Sequence, residues 1–129
     1  GMFNTSQWGH DMDNAANKKF VAEFEKAYGR LPTLYAAQGF DAARLIEAAV
    51  RDSKGKLDDK AAVRKALEAA KFDSVRGAFK FNANHFPIQD YYLRVITKDS
   101  KGRVTNRTLS PVFKGHADAY AASCKMPSL

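Results

Sequence analysis

Residues 76–97 read RGAFKFNANHFPIQDYYLRVIT and contain the point where the periodicity of the chain changes. Phe79 and Phe81 alternate with polar neighbours, and the later YYLRVIT segment alternates similarly, which is typical of half-buried β-strands. The segment between them, NANHFPIQD, is long for a hairpin turn and carries His85 and Phe86 where small turn residues are expected. The stretch predicts two strands, joined by a loop that either forms a site or packs against another part of the chain.

Three helices are predicted before these strands. The first begins near Asp13 or Asn14, either a good N-cap, and ends at Gly29. The second covers about residues 33–52 and is apolar around most of its circumference, which predicts a helix packed between layers. The third begins near Asp59 and is apolar on one face only, so we expect it to cover the core from outside.

The C-terminal half continues as strands. The segment KDSKGR predicts a tight turn at Gly102, and VTNRTLSPVF predicts a returning strand up to Pro111. A short helical turn is expected in DAYAASC. We therefore expect a single α/β domain over residues 1–129, mainly helical over 1–72 and mainly strands over 73–129.

Composition restricts the class of protein. A chain of 129 residues with 45% hydrophobic content is the size of one domain, and it contains no apolar run long enough to span a bilayer. The N-terminus lacks the pattern of a signal peptide, so we expect a soluble chain that is cytoplasmic if expressed alone. The single cysteine, Cys124, cannot form a disulfide within the chain, and its redox state and partner stay open.

The net charge of +7 permits an anionic partner, but the 21 basic residues are interleaved with 14 acidic ones and form no block. A solvated surface explains this pattern better than a nucleic-acid interface, so we predict no nucleic-acid partner. His10, His85 and His116 are far apart and lack metal-ligand spacing, and no serine or cysteine lies in an activated turn. We predict no enzyme activity, no catalytic residue, no metal and no cofactor.

The start of the second helix is the best candidate for a binding site. Tyr35 and Gln38 follow the segment GRLPT, and a helix N-terminus offers free N–H groups and a partial positive charge that suit a carboxylate. An aromatic ring beside such donors can stack on an apolar ligand. The alternative is that Tyr35 is a core residue and that Gln38 bonds to a nearby backbone group.

The order of these signals resembles the C-terminal part of periplasmic solute-binding proteins of branched-chain amino acid ABC transporters. A phenylalanine-rich helix ending in Tyr-Gly, a proline, and an alanine-rich helix with Phe-Asp-Ala are followed by a passage into a strand. The resemblance covers about residues 8–126. The segments YAAQGFDAA, VRGAFKFNANHFPIQDYYLR and HADAYAASCKM are similar to the subgroup that takes up aromatic acids.

This resemblance implies a partial type I periplasmic-binding fold, with helices followed by C-terminal strands and without the complete two-lobed architecture. Full-length members are more than twice as long and bind ligand in a cleft between two lobes, so no complete cleft is expected here. The resemblance places Tyr35 in the ligand pocket, with Gln38 as a weaker candidate and His85 as a third. The residues that hold the ligand's carboxylate come mostly from the missing portion.

The resemblance also changes the interpretation of the NANHFPIQD loop. It implies a hinge segment between lobes, so Phe86, Pro87 and Ile88 are expected to pack near a crossing of the chain. The two strands that flank the loop need not then pair with each other, and KDSKGR becomes the better hairpin turn.

Three functions remain open. The first is a fragment or truncated form of a solute-binding protein, non-catalytic, for a branched-chain amino acid or an aromatic acid, working with a transporter permease in the periplasm. The second is a stand-alone small-molecule or protein-interaction module, and the third a basic nucleic-acid binder. Because apolar helix faces lack a sheet to cover them, we expect the chain to form a homo-oligomer through these faces or by strand exchange.

Overall fold

The computed structural model describes residues 1–125, so the last four residues of the predicted strand-rich half lie outside it. Residues 1–125 form three helices and four strands, with a 3₁₀ turn at Ala121–Ser123. In chain order they are β1 (Phe3–Ser6), α1 (Ala15–Tyr28), α2 (Leu34–Asp52), α3 (Lys60–Ala69), β2 (Lys80–Phe81), β3 (Pro87–Lys98) and β4 (Val104–His116).

The three helices begin where the sequence predicts, because each has a polar cap. The side chains of Asn14, Thr33 and Asp59 accept hydrogen bonds from backbone N–H groups three residues later, at 2.8, 3.2 and 3.0 Å. Helix α1 ends at Gly29, whose φ of 66° is the left-handed conformation that terminates many helices.

Strand β3 is the centre of an antiparallel sheet. It pairs with β4 through residues 89–98 and, on its opposite edge, with β1 through residues 92–95. The predicted turn between β3 and β4 is confirmed, with Gly102 at a φ of 76°. Strand β1 was not predicted, because the four residues FNTS have no apolar alternation and are held in the sheet by a partner ninety residues away.

Strand β2 pairs with the start of β3, a pairing that the family resemblance left open. Lys80 lies opposite Ile88, and Phe81 lies opposite Pro87, so the strands that flank the histidine-containing loop do pair with each other. The loop is only five residues long because Pro87 and Ile88 already belong to β3. Phe86 is 62% exposed, so the expectation that it packs near a crossing is wrong for this residue within the described chain, whereas Pro87 and Ile88 are half-buried.

A small core joins the N-terminal segment to the helices. Trp8, Phe20, Ala37 and Val75 are buried together. The Trp8 indole N–H donates to Oδ1 of the fully buried Asn17 at 2.7 Å. The Asn17 amide donates in turn to the carbonyl oxygens of residues 9, 10 and 12 at 3.1 to 3.2 Å, so one side chain holds the whole loop before α1.

The expectation that α2 is covered on most sides is wrong for the described chain. Its buried positions are Ala37, Asp41, Ala48 and Ala49, which lie on one side of the helix. The opposite side is apolar but exposed to solvent, because no element within residues 1–125 lies against it.

An ion-pair cluster fixes the far end of the β3–β4 hairpin to α1. Glu25 accepts hydrogen bonds from Lys101 Nζ and Arg103 Nη1, both at 2.7 Å. These two bonds lower the pKa of the Glu25 carboxyl. The hairpin tip is therefore held against the helix by charge rather than by apolar packing.

We predict that Asn17→Ala lowers the free energy of unfolding by about 3 kcal/mol, because the Trp8 N–H and three buried carbonyl groups lose their partner. Denaturant unfolding followed by the fluorescence of Trp8, the single tryptophan of the chain, measures the change. Lys26→Ala, an exposed change on the same helix, is the control. A loss below about 1 kcal/mol would contradict this role of Asn17.

We also predict that Glu25→Gln destabilises the chain at neutral pH but not in acid. Since the pKa of Glu25 is lowered in the folded state, its stabilisation is present above the ordinary value of 4.5 and disappears as pH falls through the folded-state value. Thermal unfolding of both proteins from pH 7 to pH 3 tests this. A difference in melting temperature that persists unchanged at pH 3 argues against the charge pairing.

Candidate functional site

The first turns of α2 form an open surface that carries two of the predicted ligand-binding residues. Tyr35 is 79% exposed, and Gln38, nearly one turn later, is exposed as well. Neither side chain forms a hydrogen bond within residues 1–125, so the alternatives of a core tyrosine and a backbone-bonded glutamine are wrong for the described chain. The Tyr35 ring is available to a ligand or to another polypeptide.

His85, the third predicted residue, lies elsewhere. It occupies the β2–β3 loop with a left-handed φ of 63°, and its Nε2 is 3.2 Å from Oε1 of Glu68 on α3. Its ring also approaches the edge of Phe81, with centroids 6.5 Å apart. Among the contacts of the described chain, none joins His85 to Tyr35 or Gln38, so the structure does not assemble the three into one constellation.

A buried carboxylate lies below this surface, on the opposite side of α2. Asp41 is 1% exposed and accepts three hydrogen bonds from the segment that follows α3. The donors are Oγ of Ser74 at 2.6 Å, the backbone N–H of Val75 at 2.9 Å and Nε of Arg76 at 3.0 Å. Both oxygens of Asp41 are thus satisfied inside the protein, and the segment is fixed to the middle of α2.

Arg76 extends this network to the sheet. Its Nη1 donates to Oε1 of Gln89 on β3 at 2.9 Å, and the Gln89 amide donates to the Tyr91 hydroxyl at 3.2 Å. The guanidinium carbon also lies 4.5 Å from the centroid of the Phe79 ring, a cation–π contact. The position of α2, and therefore of Tyr35, is coupled through Arg76 to the start of β3.

This network was not predicted. A signal was present in the sequence, since Asp41 is the single charged residue in the run AAQGFDAA. An acid at such a position is tolerated only with a buried partner. The sequence does not say which of the chain's basic residues supplies it.

Two open depressions adjoin the network. The larger, about 850 Å³, lies between α1, α2 and the segment at 72–79 and is lined by Phe40, Phe72, Phe79, Lys19 and Arg44 among others. The smaller, about 440 Å³, includes Asp11, Arg76, Asp90 and Tyr92. Burial raises the pKa of the Tyr92 hydroxyl, and the negative charge of the neighbouring Asp90 raises it further. This hydroxyl donates a hydrogen bond to the Asp90 carboxylate at 3.3 Å. Both depressions are open to solvent, and neither encloses a ligand-sized cavity.

The side chains of residues 1–125 contain no group of three histidine, cysteine or acidic residues placed to hold a metal ion. None of the helices in this range combines the length and apolar character needed to cross a bilayer.

Comparisons with known proteins identify relatives of this arrangement. A family model described as periplasmic binding protein matches residues 1–102. No curated protein sequence matches the chain. Among solved structures, an ABC-transporter solute-binding protein from R. palustris in complex with benzoate is 36% identical, with a TM-score of 0.87 over 98% of this chain and 33% of that one.

Two further solved structures are similar. A solute-binding protein of an ABC transporter from Rhodopseudomonas palustris HaA2, in complex with p-hydroxybenzoic acid, is 28% identical, with a TM-score of 0.79 and coverage of 96% and 34%. An ABC-type branched-chain amino acid transporter protein from Rhodopseudomonas palustris CGA009 is 24% identical, with a TM-score of 0.72 and coverage of 89% and 31%, which shows the shared fold. The chain thus spans about a third of the length of these relatives, and it matches a partial fold.

We predict that Asp41→Ala lowers the free energy of unfolding by about 3–5 kcal/mol, because it leaves Arg76 without its carboxylate and Ser74 without its acceptor. Urea unfolding followed by Trp8 fluorescence is the measurement. The matched control is Glu47→Gln, an exposed acid on the same helix, which we expect to change the free energy by less than about 0.5 kcal/mol. Equal effects of the two substitutions would show that Asp41 does not fix the 74–76 segment.

Proposed function

The chain belongs to the periplasmic binding protein family, and we propose that it supplies the C-terminal portion of a solute-binding protein that captures an aromatic carboxylate for an ABC transporter. The observation that carries this proposal is the likeness over 98% of the chain to a benzoate-bound solute-binding protein. The role is binding and delivery, without catalysis. The partner is the permease of the transporter, and the place of work is the periplasm.

An aromatic acid is favoured over a branched-chain amino acid. The relatives at 36% and 28% identity are complexes with benzoate and p-hydroxybenzoic acid, whereas the branched-chain amino acid relative is 24% identical. Tyr35 also suits a flat ring, because its side chain is exposed and has no packing role within residues 1–125. Offset or edge-to-face contact between rings contributes beyond the area that is buried.

Tyr35 and Gln38 are the residues that we assign to the ligand. Both lie at the N-terminal end of α2, where unpaired N–H groups and the helix dipole favour a negative charge nearby. His85 is the weaker candidate, since it is engaged with Glu68 and lies away from the start of α2. The remaining ligand contacts come from the other two-thirds of the relatives' length, so binding requires that portion.

A chimaera tests this proposal. Residues 1–125 would replace the matching third of the benzoate-binding R. palustris protein, and benzoate binding would be measured by calorimetry. We expect saturable binding, and we expect Tyr35→Ala to weaken it about tenfold or more through loss of ring contact and apolar burial.

Tyr28→Ala is the matched control, because Tyr28 is an exposed tyrosine whose ring packs against Phe24 of α1. Tyr35→Phe should retain most of the affinity if ring contact is the main contribution. A folded chimaera that binds no aromatic acid would contradict the ligand class, and equal effects of the two alanine substitutions would contradict the role of Tyr35.

A further inference from the structure

Arg76 lies at a junction between helix α2 and the sheet. Its guanidinium donates from Nε to Asp41 of α2 at 3.0 Å and from Nη1 to Gln89 of β3 at 2.9 Å. The Arg76 side chain is 12% exposed, and that of Asp41 is 1% exposed. The junction is therefore complete within the described chain, because its charged groups are nearly buried and already bonded to each other.

The plane of this guanidinium is supported by an aromatic ring. Its central carbon lies over the Phe79 ring, 4.5 Å from the centroid. The Phe79 ring packs in turn against the rings of Phe72 and Phe81, with centroids 5.3 and 5.0 Å apart. An arginine that is stacked on a ring and bonded through two nitrogens is held in one geometry.

The junction determines the rotation of α2 relative to β3. No strand of residues 1–125 lies directly against α2, so side chains span the gap between this helix and the sheet. The helix also packs on α1 through Phe40 and Phe20, whose ring centroids are 4.6 Å apart. Such apolar contacts are non-directional, whereas hydrogen bonds require a fixed distance and angle.

The position of the Tyr35 ring is sensitive to this rotation. Tyr35 precedes Asp41 by six residues, about 9 Å along the helix axis. A rotation of α2 by about 20° moves an atom on the helix surface by about 2 Å, since that surface lies about 5–6 Å from the axis. A binding group must be held within about 0.5 Å of its productive position, so a loosened junction misplaces the ring.

We propose that Arg76 and Gln89 are positioning residues for the ligand site at the start of α2. They hold the helix against β3, so that the Tyr35 ring is in place before an aromatic carboxylate arrives, and they do so without touching the ligand. A ring that is ordered in advance lowers the entropy lost on binding. The inference rests on the proposed function, because it assigns this ring to a ligand.

Substitutions at Gln89 separate positioning from folding. Gln89→Met replaces the amide by a thioether, a weak acceptor, while the three hydrogen bonds to Asp41 remain. Gln89→Glu keeps a strong acceptor for Arg76 and is the conservative variant. Gln7→Met is the matched control, because Gln7 is also half-buried and its side chain forms no hydrogen bond within residues 1–125.

Hydrogen exchange of the ligand-free 129-residue chain measures the coupling between helix and sheet. We expect Gln89→Met to speed the exchange of amides 38–45 of α2 about threefold or more, while the amides of α1 are unchanged. Gln89→Glu and Gln7→Met should leave α2 within about twofold of the wild type. Unchanged exchange of α2 in Gln89→Met would overturn the positioning role.

Benzoate binding by the chimaera measures the consequence for the ligand. Gln89→Met should weaken binding about threefold to tenfold, whereas Gln89→Glu and Gln7→Met should have less than about a twofold effect. In a Tyr35→Ala background, Gln89→Met should have almost no further effect, because the ring that it misplaces is absent. Circular dichroism verifies that each variant is folded.

Equal weakening by Gln89→Met in both backgrounds would also overturn the proposal, since Gln89 would then act on binding independently of Tyr35. A folded chimaera that binds no benzoate in any form contradicts the proposed function instead. The exchange measurement needs no ligand, so it still decides whether Gln89 holds α2 in place.

Discussion

The carboxylate of Asp41 determines how the two halves of this chain fit together. It lies on the inner side of α2 and receives hydrogen bonds from three consecutive residues of the segment that leads to the sheet. Because Arg76 continues the network to Gln89, the helices and β3 are joined by polar contacts rather than by a large apolar core. The pairing also determines which side of α2 faces inward, since the Asp41 carboxylate is costly to bury without these donors.

The sequence predicts elements that are stabilised locally. The starts of α1, α2 and α3 follow from their caps, and the β3–β4 turn follows from Gly102, because each signal lies within a few residues of the structure it produces. Strand β1 has no such signal: FNTS is ordered by pairing with β3 and by the bonds from Arg94 to Asn4 and to the Trp8 carbonyl. Contacts between residues ninety positions apart leave little trace in a single sequence.

The exposure of the candidate site residues was predictable only in part. The position of Tyr35 and Gln38 at a helix start is a local property, and the structure exposes both side chains. His85 was selected for its residue type. Its contact with Glu68 of α3 could not be predicted from the loop sequence, because the two residues belong to different elements. The apolar circumference of α2 predicted that most of the helix is covered, yet the sequence does not say whether the cover belongs to the same part of the chain. Within residues 1–125 it does not.

The exposed ring of Tyr35 links the fold to the proposed function. In relatives three times as long as this chain, the additional residues provide the remainder of a two-lobed fold, and we propose that Tyr35 then contacts an aromatic acid. The ring is held in position from the other side of the same helix, because Asp41 fixes α2 to the 74–76 segment. A ligand that contacts the ring therefore stabilises an arrangement that these buried hydrogen bonds already hold, because a ligand stabilises the state to which it binds.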